Sequence, residues 1–177
     1  MTEGGLGLVK ITPSHLSFWR RHAPNTRLIN EYGPTETVVG CCGYEVPAGE
    51  VKAGAVPIGR PIANMQAYVL DERMKPVLVG VVGELYIGGA GVARGYLNRP
   101  ALTAERFVPN PYGSGDRLYR SGDMARYLSG GEIEYVGRRD RQVKVRGFRI
   151  ELREVKSALA PHAGVHNVVV VVRGVAE

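Results

Sequence analysis

Gly83-Glu84-Leu85-Tyr86-Ile87-Gly88-Gly89-Ala90-Gly91-Val92-Ala93-Arg94-Gly95-Tyr96-Leu97 sets the fold class of this 177-residue chain. Gly83 to Ile87 has the apolar, β-favouring character of a buried strand, and a run of glycines follows it. A dinucleotide-binding loop also follows a strand, but here the third glycine of that fingerprint falls on Arg94, and no long helical pattern comes after it. No Gly-x-x-x-x-Gly-Lys-Ser/Thr loop occurs anywhere in the chain. The glycines therefore read as a tight connection between strands. Outward from this stretch, Gln66 to Leu70 and Pro76 to Val79 read as strands with Asp71 to Lys75 as a turn, and Ala101 to Phe107 reads as a short helix opened by Pro100. Met124 to Leu128 and Glu132 to Val136 flank Ser129-Gly130-Gly131, a hairpin signal.

Toward the N-terminus, Leu6 to Ile11 reads as a strand and Pro13 to about His22 as a helix, with Leu16, Phe18 and Trp19 on its apolar side. Arg27 to Glu31 and Val38 to Val46 read as strands on either side of the Gly33-Pro34 turn. Toward the C-terminus, strands are predicted over Arg141 to Arg146 and Phe148 to Ile150, a helix over Glu151 to Leu159 and a last strand over Val165 to Val172. The fold class is α/β of the α+β, strand-rich kind. A boundary is expected near residue 48, and a small β-β-α-β unit is expected to begin at residue 140.

Bulk properties narrow the function classes. With 24 glycines and 11 prolines, the chain suits many turns and short strands better than a helical bundle. No apolar run approaches the roughly 20 residues of a membrane span. The N-terminus lacks a basic start and an apolar signal core, so a cytoplasmic protein is expected. Cys41 and Cys42 are adjacent and lack the companions of a zinc site, and they read as small buried residues. From Gly137 to Arg153 there are seven basic and two acidic residues. Such a patch suits a polyanion or a solvated face. No aromatic-interleaved basic strand or recognition helix accompanies it, so specific nucleic-acid binding is not expected.

Two further stretches carry chemistry. Asn30-Glu31-Tyr32-Gly33-Pro34-Thr35-Glu36 places an aromatic ring, a hydroxyl and a carboxylate about one turn. Tyr32 offers a face for a base, Thr35 a hydrogen bond for a phosphate oxygen and Glu36 a ligand for Mg²⁺. Tyr119-Arg120-Ser121-Gly122-Asp123 places a carboxylate where it can accept from both hydroxyls of a ribose. On chemistry alone, an ordinary turn with a helix cap is the stronger reading of the first stretch, and a turn aspartate satisfying nearby backbone N–H groups is the alternative for the second.

Asn30 to Glu36, Gly83 to Leu97, Tyr119 to Met124 and Gly137 to Leu152, in this order and spacing, resemble the fifth to eighth core motifs of nonribosomal peptide synthetase adenylation domains. The likeness covers nearly the whole chain, and it implies that residues 1–48 are a remnant of the large subdomain's α/β layer, 49–139 a β-barrel-like subdomain and 140–177 the beginning of the small C-terminal α+β subdomain. It implies an amino-acid-activating, ATP-dependent ligase with ATP/AMP and Mg²⁺ as cofactors, and an amino acid and a peptidyl carrier domain as partners. Tyr32 would stack on adenine with Asn30 beside the base. Thr35 would approach the α-phosphate, Glu36 bind Mg²⁺ and Asp123 take the ribose hydroxyls. Arg138 would be a conformation-sensitive cation near the ribose, Asp140 the hinge between subdomains, and Lys144 part of the loop that changes role between conformations. Val39 and Gly40 would lie near the wall of the amino-acid pocket.

The chain also departs from the family pattern. The glycine-, serine- and threonine-rich phosphate loop, the aromatic-acidic motif that grips the substrate amino group, and the closing lysine are all absent. Ser17-Phe18-Trp19-Arg20-Arg21-His22 directly follows Val9-Lys10-Ile11-Thr12-Pro13-Ser14-His15-Leu16, where the family has a connecting segment. Ser121 replaces a threonine, and Arg153 stands at a family glycine. These departures predict a C-terminal portion with an internal deletion that does not catalyse alone. A non-catalytic nucleotide- or partner-binding module is the alternative, and exposed sheet edges predict a homo-oligomer.

Overall fold

The computed structural model describes residues 13–48, 55–113, 115–139, 143–145, 148–150, 152–162 and 164–171. The Leu6 to Ile11 strand and the Asp140 hinge lie outside them. The fold is mixed α/β and rich in strands. The chain divides into two compact units, one spanning Lys10–Arg139 and the other including Asp140–Glu177.

In the first unit, helix α1 (Pro13–His22) starts at a proline and ends on Arg20, Arg21 and His22, cations that suit the negative end of the helix. Leu16 is its buried anchor, packed in a cluster with Val46 and Val56 and against Leu28 and Tyr44. Phe18 and Trp19, expected on the same side, are 59% and 51% exposed. Two residues beyond Leu16, Phe18 points to the opposite side of the helix. Trp19 stacks edge-on against Phe18, with ring centroids 5.6 Å apart.

Strand β1 (Leu28–Tyr32) pairs antiparallel with β2 (Cys42–Val46), which pairs with β3 (Arg60–Pro61). The expected strand from Val38 begins only at Cys42. Gly33 explains the late start: a Cβ on it would lie 2.2 Å from the Val38 carbonyl oxygen and 2.4 Å from that of Val39. The chain folds back over this glycine, and Val38 to Cys41 becomes part of a turn. Cys41 and Cys42 are buried, and their thiols are free.

The five-stranded antiparallel sheet contains β4 (Met65–Leu70), β5 (Gly83–Gly89), β6 (Phe107–Pro109), β7 (Arg117–Tyr127) and β8 (Ile133–Arg138). β7 pairs with β5 along one edge. Along the other it pairs with β6 near its start and β8 near its end. β5 is buried from Gly83 to Gly88, as suits a strand covered on both faces. Val69, Leu70, Leu85, Ile87, Leu118 and Ile133 form much of the core. Ile133 exchanges hydrogen bonds with Gly59, which ties this sheet to the β3 edge of the first. The β7–β8 hairpin turns at Ser129-Gly130-Gly131, and helix α2 (Pro100–Arg106) opens at its proline. Only Pro76 of the expected Pro76 to Val79 strand makes a β-bridge, to Leu70. Proline offers no N–H to extend a ladder, and the chain turns again at Val79-Gly80.

In the second unit, β9 (Val143–Val145) and β10 (Phe148–Ile150) form an antiparallel pair, followed by α3 (Leu152–Leu159). Residues 165–171, expected as a strand, are not one. From 167 to 171 their exposure alternates as a strand's would, but no described strand pairs with them, and a strand needs a ladder partner. No described helix is long and apolar enough to cross a membrane.

Candidate functional site

Asp123 occupies the middle of β7 and is 1% exposed. Arg138 is its register partner on β8, and Nη1 donates to Oδ1 at 2.7 Å. The second arm of Arg138 reaches the Ser121 carbonyl at 3.1 Å. Tyr32, at the end of β1, donates its hydroxyl to Asp123 Oδ2 at 2.5 Å. Ser121 Oγ accepts from the Asp123 N–H at 3.0 Å and donates to the Leu85 carbonyl at 2.6 Å. Burial, followed by the Asp123 charge, pushes the Tyr32 hydroxyl well above its ordinary range. It therefore stays a proton donor. A buried carboxylate is stable here because an arginine and a phenol face its two oxygens.

Glu36 lies in the turn after β1 and is 8% exposed. Its Oε1 accepts from the Tyr96 hydroxyl at 2.7 Å, and its backbone carbonyl accepts from the Ala93 N–H at 2.9 Å. The loop after β5, with its many glycines, is thus bound to the Glu36 turn. Its backbone N–H groups serve loop and turn bonds, as an inter-strand connection requires.

The expected site residues fall into distinct groups. Tyr32, Asp123 and Arg138 share one network. Tyr32 is 1% exposed, so its ring faces are covered rather than open to a base. Asn30 is buried and donates to the Pro57 carbonyl at 2.7 Å, which anchors the segment before β3. Thr35 is exposed on the turn beside Glu36. Val39 is 81% exposed, and Gly40 lies beneath the Glu31 carboxylate. Asp140 and the side chain of Lys144 lie outside the described residues.

A second acidic centre escaped the sequence reading. Glu84, 5% exposed on β5, takes both arms of Arg120 at 2.9 and 3.1 Å and one arm of Arg139 at 3.4 Å. Arg139 also reaches Glu72 at 3.1 Å. The readable signal was parity: on β5, Glu84 interrupts an otherwise apolar strand, and a buried acid needs a cation. Among the described residues no group of three His, Cys, Asp or Glu side chains gathers as a metal site. A hard cation held by one carboxylate and by ligand phosphates needs no such cage, and the buried, oriented Glu36 suits that mode.

The sequence model of the AMP-binding enzyme family matches residues 5–97. The chain belongs to the AMP-binding enzyme family. Within this family it is similar to bacitracin synthase 3 of Bacillus licheniformis, at 46% identity over 93% of the chain and 3% of the relative. Gramicidin S synthase 2 of Brevibacillus brevis is 49% identical over 86% of the chain and 4% of its own length. A solved NRPS protein containing adenylation and PCP domains superposes with a TM-score of 0.84 at 33% identity, covering 94% of this chain and 34% of that one. An artificially fused adenylation–PCP di-domain from Klebsiella oxytoca gives 0.79 at 35%, covering 96% and 32%. This AMP-binding-family chain therefore spans a small part of its curated relatives and about a third of the solved ones.

Proposed function

We propose that the chain carries the base, ribose and metal side of an amino-acid-adenylating site of a nonribosomal peptide synthetase. The observation that carries this reading is the network of Asp123 and Arg138 on the paired strands β7 and β8 with Tyr32 from the end of β1, and Glu36 four residues beyond Tyr32. Asp123 is the acceptor for the ribose hydroxyls, which would take over hydrogen bonds now supplied by Tyr32 and Arg138. Exchanging one donor for another keeps the buried carboxylate solvated. Asn30 is assigned beside the base, Tyr32 would flank the base only after its covered ring is uncovered on binding, and Thr35 donates toward the α-phosphate. Val39 and Gly40 border the amino-acid side chain. Asp140 is assigned the hinge role, and Lys144 a place in the loop that changes role between conformations. Glu36 would hold Mg²⁺, which when bound neutralises phosphate charge.

The 177 residues contain neither a glycine-, serine- and threonine-rich phosphate loop nor the closing lysine of the family pattern. The matched stretch of bacitracin synthase 3 runs to 193 residues, longer than the chain itself, so that relative carries residues with no counterpart here. These 177 residues taken by themselves are therefore proposed to bind nucleotide without turning it over, since loss of one charge-stabilising group already costs about 10²–10³ in rate. The PCP-containing solved relatives support a carrier domain as partner. β1 ends its sheet among the described residues, and copies pairing along that edge would form a homo-oligomer.

Calorimetric titration of ATP into the chain tests the nucleotide reading. Binding that Asp123→Asn removes, at a temperature where circular dichroism shows that variant folded, is expected; binding indifferent to that change sinks it. Amino-acid-dependent ATP–pyrophosphate exchange should stay at background, and clear exchange overturns the claim that turnover is lost. A monomer by light scattering would remove the oligomer from this reading.

A further inference from the structure

We propose that Tyr96 is a positioning residue for Glu36, orienting its carboxylate for the divalent cation that accompanies a nucleotide. This rests on the reading of Glu36 as the metal-side residue. The Tyr96 hydroxyl donates to Glu36 Oε1 at 2.7 Å across 60 residues of sequence. A donor on one carboxylate oxygen fixes the rotation of the whole group and so the direction in which its lone pairs face. Burial, followed by the hydrogen bond to Glu36, raises the Tyr96 hydroxyl above its ordinary range, which keeps it a donor.

The surroundings of Tyr96 hold it rigidly. Its backbone N–H donates to Thr103 Oγ1 at 2.9 Å, and its ring meets Phe107 edge-on at 5.5 Å. Gly95 before it has φ of 145°, and a Cβ there would lie 2.4 Å from Thr103 Cγ2, so only glycine lets the two segments approach. Arg117 donates to the carbonyls of Arg94 at 2.9 Å and Ala93 at 3.3 Å, and its guanidinium lies over the Phe107 ring at 5.5 Å. The Ala93 N–H in turn holds the Glu36 carbonyl at 2.9 Å. The loop is therefore fixed to the Glu36 turn through backbone as well as side chain. A tyrosine that served only as apolar filling would need no carboxylate acceptor at its hydroxyl. Nothing in the sequence pattern separates Tyr96 from its neighbours; the contact with Glu36 does.

The test uses the 177-residue chain, ATP and Mn²⁺, with calorimetry for the nucleotide and electron paramagnetic resonance for bound Mn²⁺. The quantity read is the ratio of ATP affinity with Mn²⁺ to that without. Tyr96→Phe keeps the ring against Phe107 and removes only the hydroxyl. It should lower the ratio by about tenfold, the scale of an outer partner of a metal ligand. Thr103→Val should lower it by less, and Leu97→Ala, whose side chain points to solvent at 89% exposure, should leave it unchanged. General loosening of the fold would weaken both affinities together and leave the ratio intact. An unchanged ratio in Tyr96→Phe overturns the proposal. If ATP binds but Mn²⁺ does not tighten it in the wild type, the proposal fails and the nucleotide reading stands. If ATP binds under neither condition, both fail. Should Tyr96→Phe not fold, Thr103→Val carries the test with the same outcomes.

Discussion

Asp123 sits in the middle of an eleven-residue strand with Arg138 opposite it, whereas Glu36 sits in a turn and is held by a loop from the far side of β5. The first carboxylate is positioned by a ladder of backbone hydrogen bonds, and its partners follow from register. The second is positioned by cross-bracing between two irregular segments. A strand site shares the stability of the sheet, so damage to it should unfold the molecule. A turn site sits apart from the sheet, so damage to it should change binding and leave the fold in place.

The largest effect that would break this contrast belongs to Asp123. Asp123→Ala removes the carboxylate that faces the largely buried Arg138 guanidinium and should destabilise the unit by about 3–5 kcal/mol, read by urea unfolding. A loss below about 1 kcal/mol would show that the sheet does not depend on this pair. Glu84→Gln comes next. Its partners Arg120 and Arg139 keep access to water, with 35% and 48% of their side chains exposed, so about 1–2 kcal/mol is expected.

Alkaline titration sharpens the comparison further. Tyr32 and Tyr96 both lie above the ordinary tyrosine value of 10.0 in the folded chain. The unfolded chain therefore releases these protons first and binds fewer of them at high pH. Stability is complete below about pH 10 and falls as pH rises beyond it, by at most about 1.4 kcal/mol per pH unit for each hydroxyl. Thermal melts across this range should flatten more in Tyr32→Phe, whose parent hydroxyl is fully buried, than in Tyr96→Phe, where water screens the group. The smallest stability change is expected for Glu36→Gln, within about 1 kcal/mol, because the amide oxygen still accepts from Tyr96. Its Mn²⁺-dependent ATP binding should nevertheless be lost. Unfolding of this variant would erase the contrast between strand and turn.

The same contrast explains how far the sequence could be read. Residues whose role follows from local pattern were legible. The glycine hairpin at 129–131, the helix opened by Pro13 and the strand at Gly83 all appear where propensity and spacing put them. Site residues were legible as members of motifs, but their partners were not. Tyr32 looked like an open ring because nothing near it in sequence says that Asp123, 91 residues away, will hold its hydroxyl. The turn from Val38 to Cys41 looked like a strand because its apolar residues favour one, while the close approach of Gly33 is a tertiary fact. The valines of 165–171 have strand chemistry without a partner among the described residues, and propensity alone does not make a strand.

The separation of Tyr32 from Asp123 also sets an order of events on the ribosome. At ordinary translation rates Tyr32 emerges roughly 5–20 s before the carboxylate it will meet, while Arg138 follows Asp123 within about 1–3 s. The β7–β8 hairpin can thus join Asp123 to Arg138 almost as soon as both are made, with little loop entropy to overcome. β1, synthesised long before, has to remain unaggregated until the far sheet exists to receive it. The last contact to form in the cluster is then the one made by the first residue of it to be synthesised.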